Sequence, residues 1–259
     1  MDEQQGMRTT VTAAPKTLGR LPDAAFGARV LPAVPEGLIT GLLALPDLTG
    51  MVSDALDLCG LTDRAIAGSI LRTALPGARV AGRAVTVMNR ARRDDPRQAA
   101  AARDNRLADI EAHNLAEPGD VVVVEGVEAA SSLGGIAMAI ASRQGEAGII
   151  VDGAVRDIET SRAIGLPVFY RAVTPATGKW RVETVGINVP VMICGVAVDP
   201  GDIVVADDSG VCFVPYALAE EVLSRAQTIA ADERRRQAMI AGGRPLSEIA
   251  ARPAPSQTS

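Results

Sequence analysis

Aromatic residues are nearly absent: Phe, Tyr and Trp together make up 2% of the 259 residues. The core must therefore be packed from Ala, Val, Ile and Leu. There is one histidine, His113. A Ser-His-Asp triad would have to use it, and no nucleophile elbow accompanies it. Its setting, Ile110-Glu111-Ala112-His113-Asn114, predicts the end of a surface helix. Cys59, Cys194 and Cys212 are odd in number, widely spaced and set in apolar contexts. They exclude a disulfide framework or a zinc cluster and predict reduced core thiols in a cytoplasmic protein. No apolar run reaches the length of a membrane span, and the N-terminus lacks a charged-then-apolar signal pattern. Net charge is −5, with no basic stripe interleaved with aromatics, which argues against nucleic acid as a partner.

What is present points to α/β architecture. The length allows one sizeable domain or two small ones. The most informative stretch is Gly145 to Asp157. Ile149 to Val151 predicts a buried strand, Asp152-Gly153 its end, and Val155-Arg156-Asp157 the opening of a helix. Backbone amides at a helix start attract anions, and an arginine adds a planar fork of donors for a carboxylate. Asp157 offers an anionic oxygen suited to a hard cation such as Mg2+. The pair thus fits a site for a small oxoacid and a metal. It equally fits a helix N-terminus capped by Asp157, with Arg156 in a structural ion pair.

A second strand-to-helix turn lies just upstream. Val121 to Val124 reads as a buried strand, Gly126 and Ser131-Ser132-Leu133-Gly134-Gly135 as a glycine-containing loop, and Ile136 to Ser142 as a helix. The glycine spacing matches neither a P-loop nor a dinucleotide fingerprint. Two successive turns of this kind can converge at one edge of a sheet, where ligands bind in α/β folds.

Elsewhere, residues 1–35 lack sustained periodicity and predict a mobile extension or a strap over a neighbour. Residues 36–243 form the body, and 244–259 a tail. Ser53-Asp54 reads as a capping pair. Asp207-Asp208-Ser209-Gly210 reads as a tight turn rather than a metal site. Ala217 to Ile240 reads as a long amphipathic helix whose charged run, Asp232 to Arg236, is a solvated face.

In combination, several segments resemble the RraA-like family. They are Val52-Ser53-Asp54-Ala55-Leu56, Pro118-Gly119-Asp120-Val121, Leu133-Gly134-Gly135, Gly148 to Asp157 and Pro200 to Pro215, in that order. The family comprises class II 4-hydroxy-4-methyl-2-oxoglutarate and 4-carboxy-4-hydroxy-2-oxoadipate aldolases, and the protein regulator of ribonuclease E activity. The resemblance implies a swivelling-type β/β/α sandwich with terminal helices, assembled as a homotrimer or a dimer of trimers. It implies that Arg156 holds the pyruvate carboxylate and carbonyl region and that Asp157 binds Mg2+ or Mn2+. Amides from Gly134, Gly135, Ile136, Ala137 and Met138 would hold the carboxylate from the other side. Asp232 or Glu233 of a neighbouring subunit would approach the metal waters. The implied activity is retro-aldol cleavage of a small 2-oxo acid, or decarboxylation of oxaloacetate. The alternative is a non-catalytic regulator acting by protein contact. One departure stands out: the aldolases commonly carry Asp or Glu where this chain has Gly135. Glu125 and Glu128 are the nearby acids that could substitute.

Overall fold

The computed structural model describes residues 17–250. Helices α1 (Leu38–Leu43) and α2 (Leu48–Leu58) precede strands β1 (Ala65–Ala67), β2 (Arg72–Thr73) and the long β3 (Val80–Ala91). After α3 (Pro96–Ala101) and α4 (Ile110–Leu115) come β4 (Val121–Glu125), β5 (Ser131–Leu133), α5 (Gly135–Gln144), β6 (Gly148–Val155), α6 (Ile158–Ile164) and β7 (Val168–Val173). Then follow β8 (Val182–Ile187), β9 (Val191–Ile193), β10 (Val196–Val198), β11 (Ile203–Asp207), β12 (Gly210–Val214), α7 (Ala219–Ala241) and α8 (Leu246–Ile249).

The main sheet runs β1-β12-β11-β3-β4-β6-β7-β2, with β5 beside β6 and β8 beside β3. Strands β3, β4, β6 and β7 are parallel. Their near-continuous apolar runs are those of strands covered on both faces. Strand β3 joins two regions. Its first half pairs with β11, and its second half lies parallel to β4 and antiparallel to β8.

Three apolar cores result. One is lined by strands: Val80, Val123, Ile150, Val191, Val204 and Val211 surround the fully buried Phe169 and Phe213. A second lies between α1, α2, α7 and the outer face of β11 and β12. The third packs α4 and α5 on β3, β4, β6 and β7. Strands thus enclose one core while helices cover the outside, as the β/β/α expectation required. Branched aliphatic side chains fill most of this volume, which suits strands because their stiff χ1 angles pack well on a pleated surface.

Three expectations need correction. Ser131–Leu133, read as loop, is a buried strand parallel to β6. Strand β6 does not end at Asp152-Gly153 but continues to Val155. Gly153 is there because the 126–127 backbone crosses it: a Cβ would sit 2.7 Å from the Val127 nitrogen. His113 is buried, not on a surface helix; its side chain is 1% exposed.

Within the described part of the N-terminal segment, residues 17–35 strap their own chain. Gly27 donates to the Ile187 carbonyl, Asn188 Nδ2 to the Ala28 carbonyl, Arg83 to the Pro32 carbonyl and Tyr216 Oη to the Ala33 carbonyl. Residues 1–16 and 251–259 lie outside the described residues.

Candidate functional site

Arg156 and Asp157 form the short link between β6 and α6. The Arg156 amide still bonds the Leu133 carbonyl, so the chain leaves the sheet only after it. Asp157 then takes a left-handed conformation, φ 58°, which Asp tolerates better than most side chains. This sharp turn sends its carboxylate back toward α5 instead of onto its own helix. Asp157 Oδ2 accepts the Gly135 N–H at 2.9 Å, and α6 receives no side-chain cap. The expected cap is therefore present, but on the neighbouring helix.

The two glycines ahead of α5 make this approach possible. A Cβ on Gly134 would lie 3.0 Å from Arg156 Nε and 3.2 Å from Asp157 Oδ2. A Cβ on Gly135 would lie 2.9 Å from the Thr160 hydroxyl. The first turn of α5 thus lies directly against the Arg-Asp pair. Of its amides, Gly135 is spent on Asp157 and Met138 on the Gly134 carbonyl. Met138 is also fully buried, so its amide belongs to the helix and not to a ligand. Ile136 and Ala137 hold the helix-start donors that have no intrahelical acceptor.

Arg156 is half-buried, and its guanidinium makes no hydrogen bond among the described residues. Its one charge contact is Nε to Asp157 Oδ2 at 3.4 Å. Asp157 is the more exposed partner, at 46%. Both line an open cleft of about 250 Å³ together with Gly134, Gly135, Ile136 and Ala137. The structure therefore gathers every predicted binding residue except Met138 at one cleft. No three His, Cys, Asp or Glu side chains among the described residues are grouped as metal ligands. A single half-exposed carboxylate with one oxygen uncommitted nevertheless fits Mg2+, which is commonly held by one or two carboxylates and keeps several waters.

The other candidates are accounted for. Glu125 is bound by Arg90 and the Met192 amide, and Glu128 pairs with Arg171, so neither replaces an acid at position 135. Asp207 accepts from Thr49 and Ser209, and Asp208 from Gly77, as turn residues do. Ser53 and Asp54 do not line the cleft. Asp232 pairs with Arg235 at 2.7 Å and Arg236 at 2.8 Å on its own helix, leaving Glu233 as the acid of the two with no ion pair among the described residues. Neither lines the cleft of its own chain.

Four charged or titratable residues reach the cleft unannounced: Arg20, Asp109, His113 and Lys179. His113 Nδ1 lies 2.8 Å from Glu146 Oε1, both side chains being essentially buried. Burial is the largest influence on His113 and works to lower its pKa. The bond and charge of Glu146, with the charge of Asp109, outweigh it and hold the imidazole above its ordinary value. Burial pushes the Asp109 carboxyl up. Lys179 is one of only two lysines in the chain, a rarity that was a usable signal. Arg20 gave none.

Comparison with known proteins gives the family. The RraA-like (Aldolase/RraA) family profile matches residues 49–213. The chain belongs to that family. A Halalkalibacterium halodurans protein provisionally named 4-hydroxy-4-methyl-2-oxoglutarate aldolase is 36% identical over 204 residues, covering 78% of this chain and 88% of the relative. Among solved structures, an uncharacterized protein from Pseudomonas syringae pv. tomato superposes with a TM-score of 0.71 at 27% identity, over 85% of this chain and all of the other. Streptomyces coelicolor RraAS2, described as an unusual member of the RNase ES inhibitor RraA family, gives a TM-score of 0.67 at 27% identity, over 80% and 99%. The matched segment contains both halves of the Arg156–Asp157 cleft but not the strap that carries Arg20.

Proposed function

We propose that this family member is a lyase that breaks a carbon–carbon bond in small 2-oxo acids. The reaction is retro-aldol cleavage of substrates of the 4-hydroxy-4-methyl-2-oxoglutarate type to pyruvate. The same electron flow decarboxylates oxaloacetate. The observation that carries the reading is the unspent Arg156 guanidinium beside Asp157 and the start of α5. Relatives named as aldolases support it.

The Arg156 fork binds the carboxylate next to the 2-oxo group, and the Ile136 and Ala137 amides take it from the other side. This fixes the plane of the oxoacid. When the 4-hydroxyl gives its proton to water, the C3–C4 bond breaks, C4 leaves as a ketone, and the electron pair moves toward the 2-oxo carbon so that negative charge grows on its oxygen. Arg156 faces that charge in a partly desolvated cleft, where a fixed cation is most effective. Protonation at C3 then yields pyruvate. Mg2+ or Mn2+ held by Asp157 would supply further stabilisation of that oxygen. Asp157 itself is kept in place by the Gly135 amide.

The assembly in this reading is a homotrimer or dimer of trimers in the cytoplasm. Glu233 of a neighbouring subunit, rather than Asp232, would approach the metal waters. Ile136, 75% exposed on the cleft rim, is an apolar surface such a neighbour would cover.

The test is pyruvate release from oxaloacetate and from 4-hydroxy-4-methyl-2-oxoglutarate, with Mg2+ or Mn2+ and with chelator, in wild type and Asp157→Ala. Chelator-sensitive release that disappears in Asp157→Ala is the expected result. No release from either substrate would sink the lyase reading and favour a regulator acting by protein contact.

A further inference from the structure

The cleft holds more positive charge than one carboxylate requires. Arg156, Arg20 and Lys179 line it, against Asp157 and Asp109. Burial raises the Asp109 carboxyl. Neither Arg20 nor Lys179 has an ion-pair partner among the described residues. Arg20 makes one long bond, 3.4 Å from a terminal nitrogen to the Asn105 carbonyl. Between these cations the wall is apolar, with Leu107, Ile110, Ile136 and Ile140. An apolar wall with cations around it suits a short carbon chain bearing two carboxylates.

The position of Arg20 is built, not incidental. Glu111 is fully buried. Its two oxygens accept the Leu18 N–H at 2.8 Å and the Arg20 N–H at 2.6 Å. A buried carboxylate is costly unless its oxygens are satisfied. Here two main-chain donors from one short segment do it, so the strap is fixed at the residue whose side chain enters the cleft. The strap lies outside residues 49–213, the stretch that the family profile matches, so Arg20 is not one of the profile's positions.

We propose that Arg20 is a specificity-determining residue, which takes the far carboxylate of a dicarboxylic 2-oxo acid whose near carboxylate lies on Arg156. This rests on the 2-oxo acid reading above. The test therefore measures binding rather than turnover, so that the two can fail separately. Calorimetric titration of the full chain in Mg2+ would compare 2-oxoglutarate, with two carboxylates, and pyruvate, with one. Wild type should bind 2-oxoglutarate more tightly. Arg20→Met should weaken 2-oxoglutarate about tenfold, the scale of one charge-assisted bond, and leave pyruvate within about twofold. Arg20→Lys should recover part of the loss. Arg20 is exposed, so neither variant threatens the fold. Equal weakening of both ligands, no change in either, or a wild type that does not prefer 2-oxoglutarate would overturn the proposal. Pyruvate release without an Arg20-dependent preference would leave the lyase reading standing alone.

Discussion

Two arginine–aspartate pairs of this chain use the same chemistry for opposite ends. Arg83 and Asp120 are almost fully buried, 6% and 4% exposed. The Arg83 fork meets both Asp120 oxygens at 2.9 Å, and its remaining donors reach Glu117 at 2.8 Å and the Pro32 carbonyl at 2.9 Å. Asp120 also accepts the Glu117 amide, closing the Pro-Gly-Asp turn that feeds β4. Every group is spent inside the protein. Arg156 and Asp157 are half-exposed, 3.4 Å apart, and the arginine fork is unspent. A satisfied pair holds the turn, the strap and two strands together. An unsatisfied pair at a cleft is a site awaiting an anion.

The sharpest break of this contrast is to remove one carboxylate or cation from each pair. Asp120→Ala leaves Arg83 buried and without its main partner, and should cost about 3–5 kcal/mol of stability. Arg156→Ala should change stability by no more than about 0.5 kcal/mol but lower pyruvate release by about 10²–10³-fold, the scale of losing one stabiliser of developing charge. Denaturant midpoints and initial rates on both variants decide it. If Arg156→Ala unfolds the protein, or Asp120→Ala leaves its stability intact, the assignment of roles is reversed.

Next in size is the buried pair at the back of the cleft. Glu146 faces His113 from another segment and Asp109 from the N-terminal end of its own helix, where Glu111 is already bonded to the strap. Because the folded protein holds the His113 proton more tightly than the unfolded chain, that contribution is full below about pH 6.5 and is lost as pH rises through the higher folded value. The raised Asp109 carboxyl works in the same direction, since it too binds a proton more tightly when folded. Stability should therefore fall as pH rises above about 6.5, by at most about 1.4 kcal/mol per pH unit for one proton. His113→Gln should lower stability overall and flatten this dependence. An equally steep profile in His113→Gln would show that the imidazole is not the group responsible.

The contrast also explains what the sequence made legible. Arg156 and Asp157 are adjacent, and the strand, turn and helix that present them are written in a dozen consecutive residues. Gly134 and Gly135 stand out for the same reason. Asp120 looked like an ordinary turn residue because its partner, Arg83, lies 37 positions away. His113 looked like a surface residue because Glu146, 33 positions on, decides its environment. Strand β5 contains two serines and owes its conformation to its place beside β6, so no local pattern announces it. The strap at Arg20 is fixed by Glu111, about 90 residues away in sequence (91 to the Arg20 amide). Local order could be read along the chain. Pairings across it are set by how the sheet folds, and most of the cleft's charge belongs to that second kind.

The smallest expected effect tests how tightly the open pair is held. Gly135 stands where the resemblance to the aldolases leads to the expectation of an acid, and a Cβ there would lie 2.9 Å from the Thr160 hydroxyl and 3.4 Å from the Asp157 Cβ. The hydroxyl is a side-chain tip that can rotate, so Gly135→Ala should cost no more than about 1 kcal/mol of stability. The same crowding should push on Asp157, whose Oδ2 depends on the Gly135 amide for its position. Activity should drop by a few-fold in Gly135→Ala and recover when Thr160→Ala is added, with a coupling of about 0.5–1 kcal/mol between the two sites. Additive effects would mean that Thr160 does not set the space at position 135. The absent acid would then reflect the ligand this cleft takes, not the packing of the helix beside it.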